Sequence, residues 1–216
     1  MRRWVRFLKE TPCLVLLVVQ LGGVLLYPFI AGDVTGRSAF AIFGMVVLVL
    51  TILALRATPY FTWMSALVFV PAAALLLVSV FTADEKLFPW SAGFEMVLYF
   101  YAGVSMLAYM LKDEDVTVDE MWAIPAVFTL FAWAFTYLFV VVQALDPGAF
   151  GGGDQRGWME LLFLSFTTLS STGLSDIVPV SGHGRSVVML EQVAGVFYIA
   201  MVVTRLVSLR AARRRA

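Results

Sequence analysis

The chain has 216 residues, of which 61% are hydrophobic and 14% charged, with 15 basic residues balanced by 15 acidic ones. A water-soluble domain of this length carries about 25% charged residues. The composition therefore excludes an ordinary soluble domain and reads as a membrane protein.

An α-helix crosses a hydrocarbon core of about 30 Å in about 20 residues, and six apolar runs meet that length, over residues 12–31, 39–55, 61–82, 91–111, 121–145 and 186–208. The expected fold is all-α, with six transmembrane helices. The first run follows a basic start like that of a signal peptide. It is long enough to span, however, and no convincing A-x-A cleavage site follows it, so it is read as the first span. Cys13 is the only cysteine, so neither an internal disulfide nor a cysteine metal site is expected. Residues 1–111 form a four-helix scaffold. Its fourth span, Ser91–Leu111, has Glu95 as its only charged residue, which argues against a voltage sensor built on a row of positive charges.

An acidic stretch, KDEDVTVDE, Lys112 to Glu120, separates these spans from a C-terminal module, 121–216. It reads as a solvated cytoplasmic linker, with a docking or cation-sensing patch as the alternative. Trp4, Trp63, Trp90, Trp122 and Trp158 fall near the starts of hydrophobic segments, where amphipathic rings sit at headgroup level. Cytoplasmic segments retain Lys and Arg in excess. With the N-terminus inside, that side takes Arg2, Arg3, Arg6, Lys9, Arg56, Lys112, Arg205, Arg210, Arg213, Arg214 and Arg215, and the other side only Arg37, Lys86, Arg156 and Arg185. A multi-pass protein of the cell (inner) membrane follows, with both termini cytoplasmic.

The most informative part lies between the fifth and sixth spans. Leu145 to Gly157, LDPGAFGGGDQRG, is a Gly-rich outer loop. Trp158–Leu169 then reads as a helix of about 18 Å at 1.5 Å per residue, too short to cross. It enters the membrane and stops, and the chain returns through Ser170–Pro179 without helical hydrogen bonds. Non-helical backbone at that depth must be buried in protein or line a watery cavity. Thr167, Thr168, Ser170, Ser171, Thr172 and Ser175 supply hydroxyls there, to satisfy backbone groups or to offer oxygens to a permeating solute. The inward C-terminal end of the short helix carries partial negative charge, which favours a cation.

These residues resemble the bacterial members of the potassium-channel superfamily, grouped with two-pore-domain or "ion channel" pore modules. The resemblance covers Val116–Leu209: the short helix, SSTGLSDIVP in place of TTVGYGD and a Pro-containing turn, and the inner helix LEQVAGVFYIAMVVTRLVSL. It implies a re-entrant pore helix and filter loop, with a ring of carbonyls replacing an ion's hydration shell. A single loop supplies one quarter of such a filter, so a homotetramer in the lipid bilayer is implied. No nucleic-acid partner and no cofactor are expected, and no metal beyond permeating monovalent cations at the filter.

Carried over residue by residue, the filter falls on Ser171, Thr172, Gly173, Leu174 and Ser175, with the acid at Asp176. Leu174 lacks the family's aromatic hydroxyl, and Ser175 stands where the pattern has glycine. A non-glycine residue at left-handed dihedrals costs roughly 1–2 kcal/mol, so strain is expected at Ser175, with a path that passes Na⁺ as well as K⁺. Asp176 reads as a fourfold outer-mouth acid or as a cap on the turn. Thr167 and Glu191 read as filter support, and Gly195 as an inner-helix hinge or a point of close packing. His183, the only histidine, would with Ser171 or Ser175 suggest a serine hydrolase. No orienting acid is implied by spacing and no G-x-S-x-G is present, so an enzyme is not expected. The functional expectation is a tetrameric channel for monovalent cations; the alternative is a non-conducting, channel-like scaffold or regulatory subunit.

Overall fold

The computed structural model describes residues 11–30, 88–112, 118–151 and 155–213, with isolated positions within 43–50 and 70–78. Among the described residues every regular element is helical: α1 (Pro12–Ile30), α2 (Phe88–Lys112), α3 (Val118–Leu145), α4 (Trp158–Leu169) and α5 (Gly182–Arg213). Four of them are long and apolar enough to cross a membrane, over Pro12–Phe29, Pro89–Leu111, Val118–Leu145 and Gly182–Val207. They coincide with the first, fourth, fifth and sixth runs read from the sequence. The runs at 39–55 and 61–82 lie mostly outside the described residues, and Trp4, Trp63, the basic N-terminus and residues 113–117 of the acidic stretch lie wholly outside them.

Helix α3 packs against each of the other four helices, and α4 also meets α5. Its composition explains this central place. Ala123, Ala126, Val127, Leu130, Trp133, Ala134 and Tyr137 are all buried, and its small residues let neighbouring backbones approach closely. Asp119 and Glu120, assigned to the linker by sequence, instead occupy the first turn of α3, where the positive end of the helix favours carboxylates. Asp119 does a second job: its Oδ1 accepts the Cys13 backbone N–H at 3.0 Å, capping α1.

Trp158 differs from the interfacial role expected of it. It starts α4, but its ring lies 5.4 Å from that of Trp133 and 5.7 Å from that of Tyr27, anchoring the short helix in an aromatic cluster. Stacking of Tyr99 on Tyr137 at 5.5 Å extends this cluster to α2. Trp90, by contrast, is 70% exposed at the start of α2.

Among its described side chains, helix α5 buries a narrow stripe: Gly184, Val188, Glu191, Gly195 and Tyr198. These positions recur every three or four residues, so they share one helical face. Around them Leu190, Val193, Val196, Phe197, Val203 and Val207 are exposed. Much of the apolar surface of α5 is thus exposed among the described residues.

Candidate functional site

The short helix α4 is fixed at its start by polar contacts in both directions. Gln143 of α3 holds the Arg156 backbone on both sides, donating from Nε2 to the carbonyl and accepting the N–H at Oε1, each at 3.0 Å. The Glu160 carboxylate accepts the Gly157 N–H at 2.6 Å, satisfying a donor the helix itself cannot pair. Arg156 also stands 3.6 Å from Glu160.

The other end of α4 shows what the hydroxyls do. Ser170 closes the helix in right-handed conformation, and Ser171 follows at φ 60°. The Thr172 N–H donates to the Thr167 carbonyl and the Ser171 N–H to the Thr168 carbonyl, both at 2.9 Å. This pair of bonds is a Schellman motif, in which the left-handed residue is usually glycine. Gly173, at φ 67°, sends its N–H to the same Thr167 carbonyl at 3.0 Å. The hydroxyls reinforce the turn. Ser170 Oγ donates to the Phe166 carbonyl at 2.6 Å, Thr172 Oγ1 to the Thr167 carbonyl at 3.2 Å, and Thr167 Oγ1 to the Leu164 carbonyl at 2.9 Å.

The directions of the carbonyls follow. Among the described residues the peptide bonds are trans, and in a trans peptide the C=O of one residue opposes the N–H of the next. Since the N–H groups of Ser171, Thr172 and Gly173 all point back at the end of α4, the carbonyls of Ser170, Ser171 and Thr172 all point onward, away from it. The helix's own carbonyls point the same way, so its negative end is continued into three successive carbonyl oxygens. Such an array repels anions and attracts cations.

Beyond Gly173 the chain behaves differently. The left-handed strain expected at Ser175 is not there: among the described non-glycine residues, positive φ occurs at Ser171 alone. Ser175 Oγ instead accepts the Ile177 N–H at 3.0 Å. A serine that ties its own backbone two residues on needs no left-handed conformation. Ile177 is buried, whereas Leu174, 77% exposed, and Asp176 face outward. The return strand is pinned by the Ala149 carbonyl, which accepts from Val180 at 2.8 Å.

Behind this loop, Ser165 of α4 lies 2.8 Å from the carbonyl of Ala132 in α3 and forms a hydrogen bond with Glu191 Oε1 of α5. Thr167 and Glu191 are both buried, and the Glu191 side chain is 0% exposed. Gly195 sits directly on the end of α4, where a Cβ would overlap the Leu169 carbonyl oxygen and come within 2.9 Å of its carbon.

His183 has the acid that spacing did not suggest. Its Nδ1 is 3.2 Å from Asp146 Oδ2, joining the end of α3 to the start of α5. Hydrogen bonds from Ser181 and then His183 hold the Asp146 carboxyl below its ordinary range. Sequence reading also missed Ser165 and Gln143, though each is a polar residue inside an apolar helix, which is a signal in a membrane protein.

A family model described as "ion channel" matches residues 125–210, from the second turn of α3 through α5. That match supports an ion-channel pore module in this part of the chain. No curated protein and no solved structure matches the chain.

Proposed function

We propose that this chain is one quarter of a channel for monovalent cations in the cell (inner) membrane, with both termini cytoplasmic and α3, α4 and α5 serving as outer, pore and inner helices. The observation that carries the reading is the run of Ser170, Ser171 and Thr172 carbonyls directed away from the end of α4. Four such loops around an axis would present rings of oxygen to an ion. The uncovered apolar surface of α5 supports the assembly, since a second copy or lipid must cover it.

Within this reading the carbonyls of Ser170, Ser171 and Thr172 form the coordinating part of the loop, Gly173 turns the chain at positive φ, and Leu174 and Ser175 line a wider outer part. Asp176 supplies the outer-mouth acid, and Thr167 and Glu191 hold the filter from behind. Gly195 serves close packing against α4. A short carbonyl array strips less water from an ion than a longer one, so both K⁺ and Na⁺ pass, with weak discrimination.

Purified protein in liposomes tests this directly. Cation flux with bi-ionic reversal potentials near zero for K⁺ against Na⁺ is the expected result. Tetramers that carry no current would favour a non-conducting scaffold, and a monomer in native-like lipid would overturn the assembly.

A further inference from the structure

The contacts among Thr136, Ala132, Ser165 and Glu191 can be read by counting protons. Thr136 Oγ1 lies 2.7 Å from the Ala132 carbonyl oxygen, Ser165 Oγ lies 2.8 Å from the same oxygen, and Ser165 Oγ also contacts Glu191 Oε1. Two oxygens this close need a hydrogen between them. Three contacts therefore need three protons. Thr136 and Ser165 each bring one, and the Ala132 carbonyl brings none. The third can be supplied by Glu191, the one remaining group in this chain of contacts able to carry a proton.

We infer that Glu191 carries a proton and acts as a positioning residue, donating to Ser165, which in turn donates to the Ala132 carbonyl, so that one hydrogen-bond relay joins α5, α4 and α3 behind the filter loop. The remaining oxygen, Oε2, is buried without a hydrogen-bond partner among the described residues. That is tolerable for the carbonyl oxygen of a neutral acid and far costlier for half of a buried carboxylate. An ionised Glu191 would leave Ser165 one hydrogen for two acceptors, and one of the two joints would become a repulsion between oxygens. The relay meets α4 at Ser165, two and three residues before the Schellman carbonyls of Thr167 and Thr168. Its state therefore sets how firmly the end of the pore helix is held.

This inference rests on reading Glu191 as the brace between helices, and it does not require that the pore conduct. The test is infrared difference spectroscopy on the full-length protein in lipid at neutral pH, wild type against Glu191→Gln. A carbonyl-stretch band of a protonated carboxylic acid should be present in the wild type and lost in the variant. In Ser165→Ala the band should move to higher frequency, because the acid loses its acceptor; this second variant serves if Glu191→Gln does not fold. Glutamine can donate an amide N–H where the acid donated its proton, so Glu191→Gln should melt closer to wild type than Glu191→Leu does. A difference spectrum holding only carboxylate bands, a band unmoved by Ser165→Ala, or equal melting of the Gln and Leu variants would overturn the relay. Absence of cation flux with the band intact would count against the proposed function and leave the relay standing.

Discussion

Glycine at position 171 should stabilise this protein, and glycine at position 175 should not. Ser171 sits at φ 60° in the Schellman turn, with its side chain exposed. A left-handed conformation costs a non-glycine residue roughly 1–2 kcal/mol. Glycine gives back about 0.5–1 kcal/mol through its greater freedom in the unfolded chain. The net gain for Ser171→Gly is then about 0.5–1 kcal/mol per chain. For a chain of this length, 1 kcal/mol moves the melting temperature by roughly 2–4 °C, so an increase of about 1–4 °C is expected. Ser171→Ala keeps the Cβ and should gain nothing, and Ser171→Val, with a β-branched residue at positive φ, should fall below wild type. Ser175→Gly removes the oxygen that accepts the Ile177 N–H without relieving any left-handed strain, at a cost of about 0.5–1.5 kcal/mol. The assay is thermal unfolding of the full-length protein in lipid nanodiscs. If Ser175→Gly raised the melting temperature and Ser171→Gly lowered it, the Schellman reading of this loop would be wrong.

Gly195→Ala places a methyl against the Leu169 carbonyl and should destabilise by about 1–3 kcal/mol, the usual range for overpacking; an unchanged melting temperature would show that α5 bends freely there. Gly173→Ala meets open space within 4 Å, so only its positive φ resists, and the loss should stay near 1–2 kcal/mol. Asp176→Asn should reduce cation conductance most at low salt, because an exposed charge concentrates ions only within a Debye length of about 10 Å at 0.1 M. An equal reduction at every salt concentration would mark Asp176 as a turn cap. The Asp146 carboxyl is held below its ordinary range by Ser181 and His183, so its contribution is complete above the unfolded value of about 3.9. It is lost as the pH falls through the lower folded value. Melting curves from pH 6 downward should show this acid-side loss in wild type and not in Asp146→Asn.

The four long described helices were legible because length and apolarity are properties of single helices. Their ends fall within about five residues of the runs 12–31, 91–111, 121–145 and 186–208, and α4 was recognisable as a helix too short to cross. The loop was legible only in kind. Six hydroxyls between Thr167 and Ser175 announced irregular backbone at membrane depth, but which residue takes the left-handed conformation depends on where α4 ends. It ends at Leu169, with Ser170 as cap. That places Ser171 at the position glycine normally fills, two residues before Gly173, and moves the strain away from Ser175. Contacts between helices were harder still. Glu191, Ser165 and Ala132 are separated by 26 and 33 residues, and no local pattern couples them.

One physical account ties the hydroxyls to the carbonyls. A helix that stops inside a membrane leaves its last carbonyls without partners, and water is not at hand to supply them. In this loop the N–H groups of Ser171, Thr172 and Gly173 supply them instead, helped by the hydroxyls of Ser170 and Thr172. Each peptide that turns its N–H toward α4 must turn its C=O away. In the proposed channel, capping the helix and presenting oxygens to a cation would therefore be a single act of the same three peptide planes. A substitution that weakens the cap should also disperse the oxygens. Thr172→Val, which deletes the Oγ1 bond to Thr167 while keeping the backbone free to form its own, separates the two contributions. It should cost about 0.5–1.5 kcal/mol in stability and leave reversal potentials unchanged if the backbone N–H groups alone aim the carbonyls. A shift in K⁺ against Na⁺ reversal potential would mean that the Thr172 hydroxyl itself shapes the path.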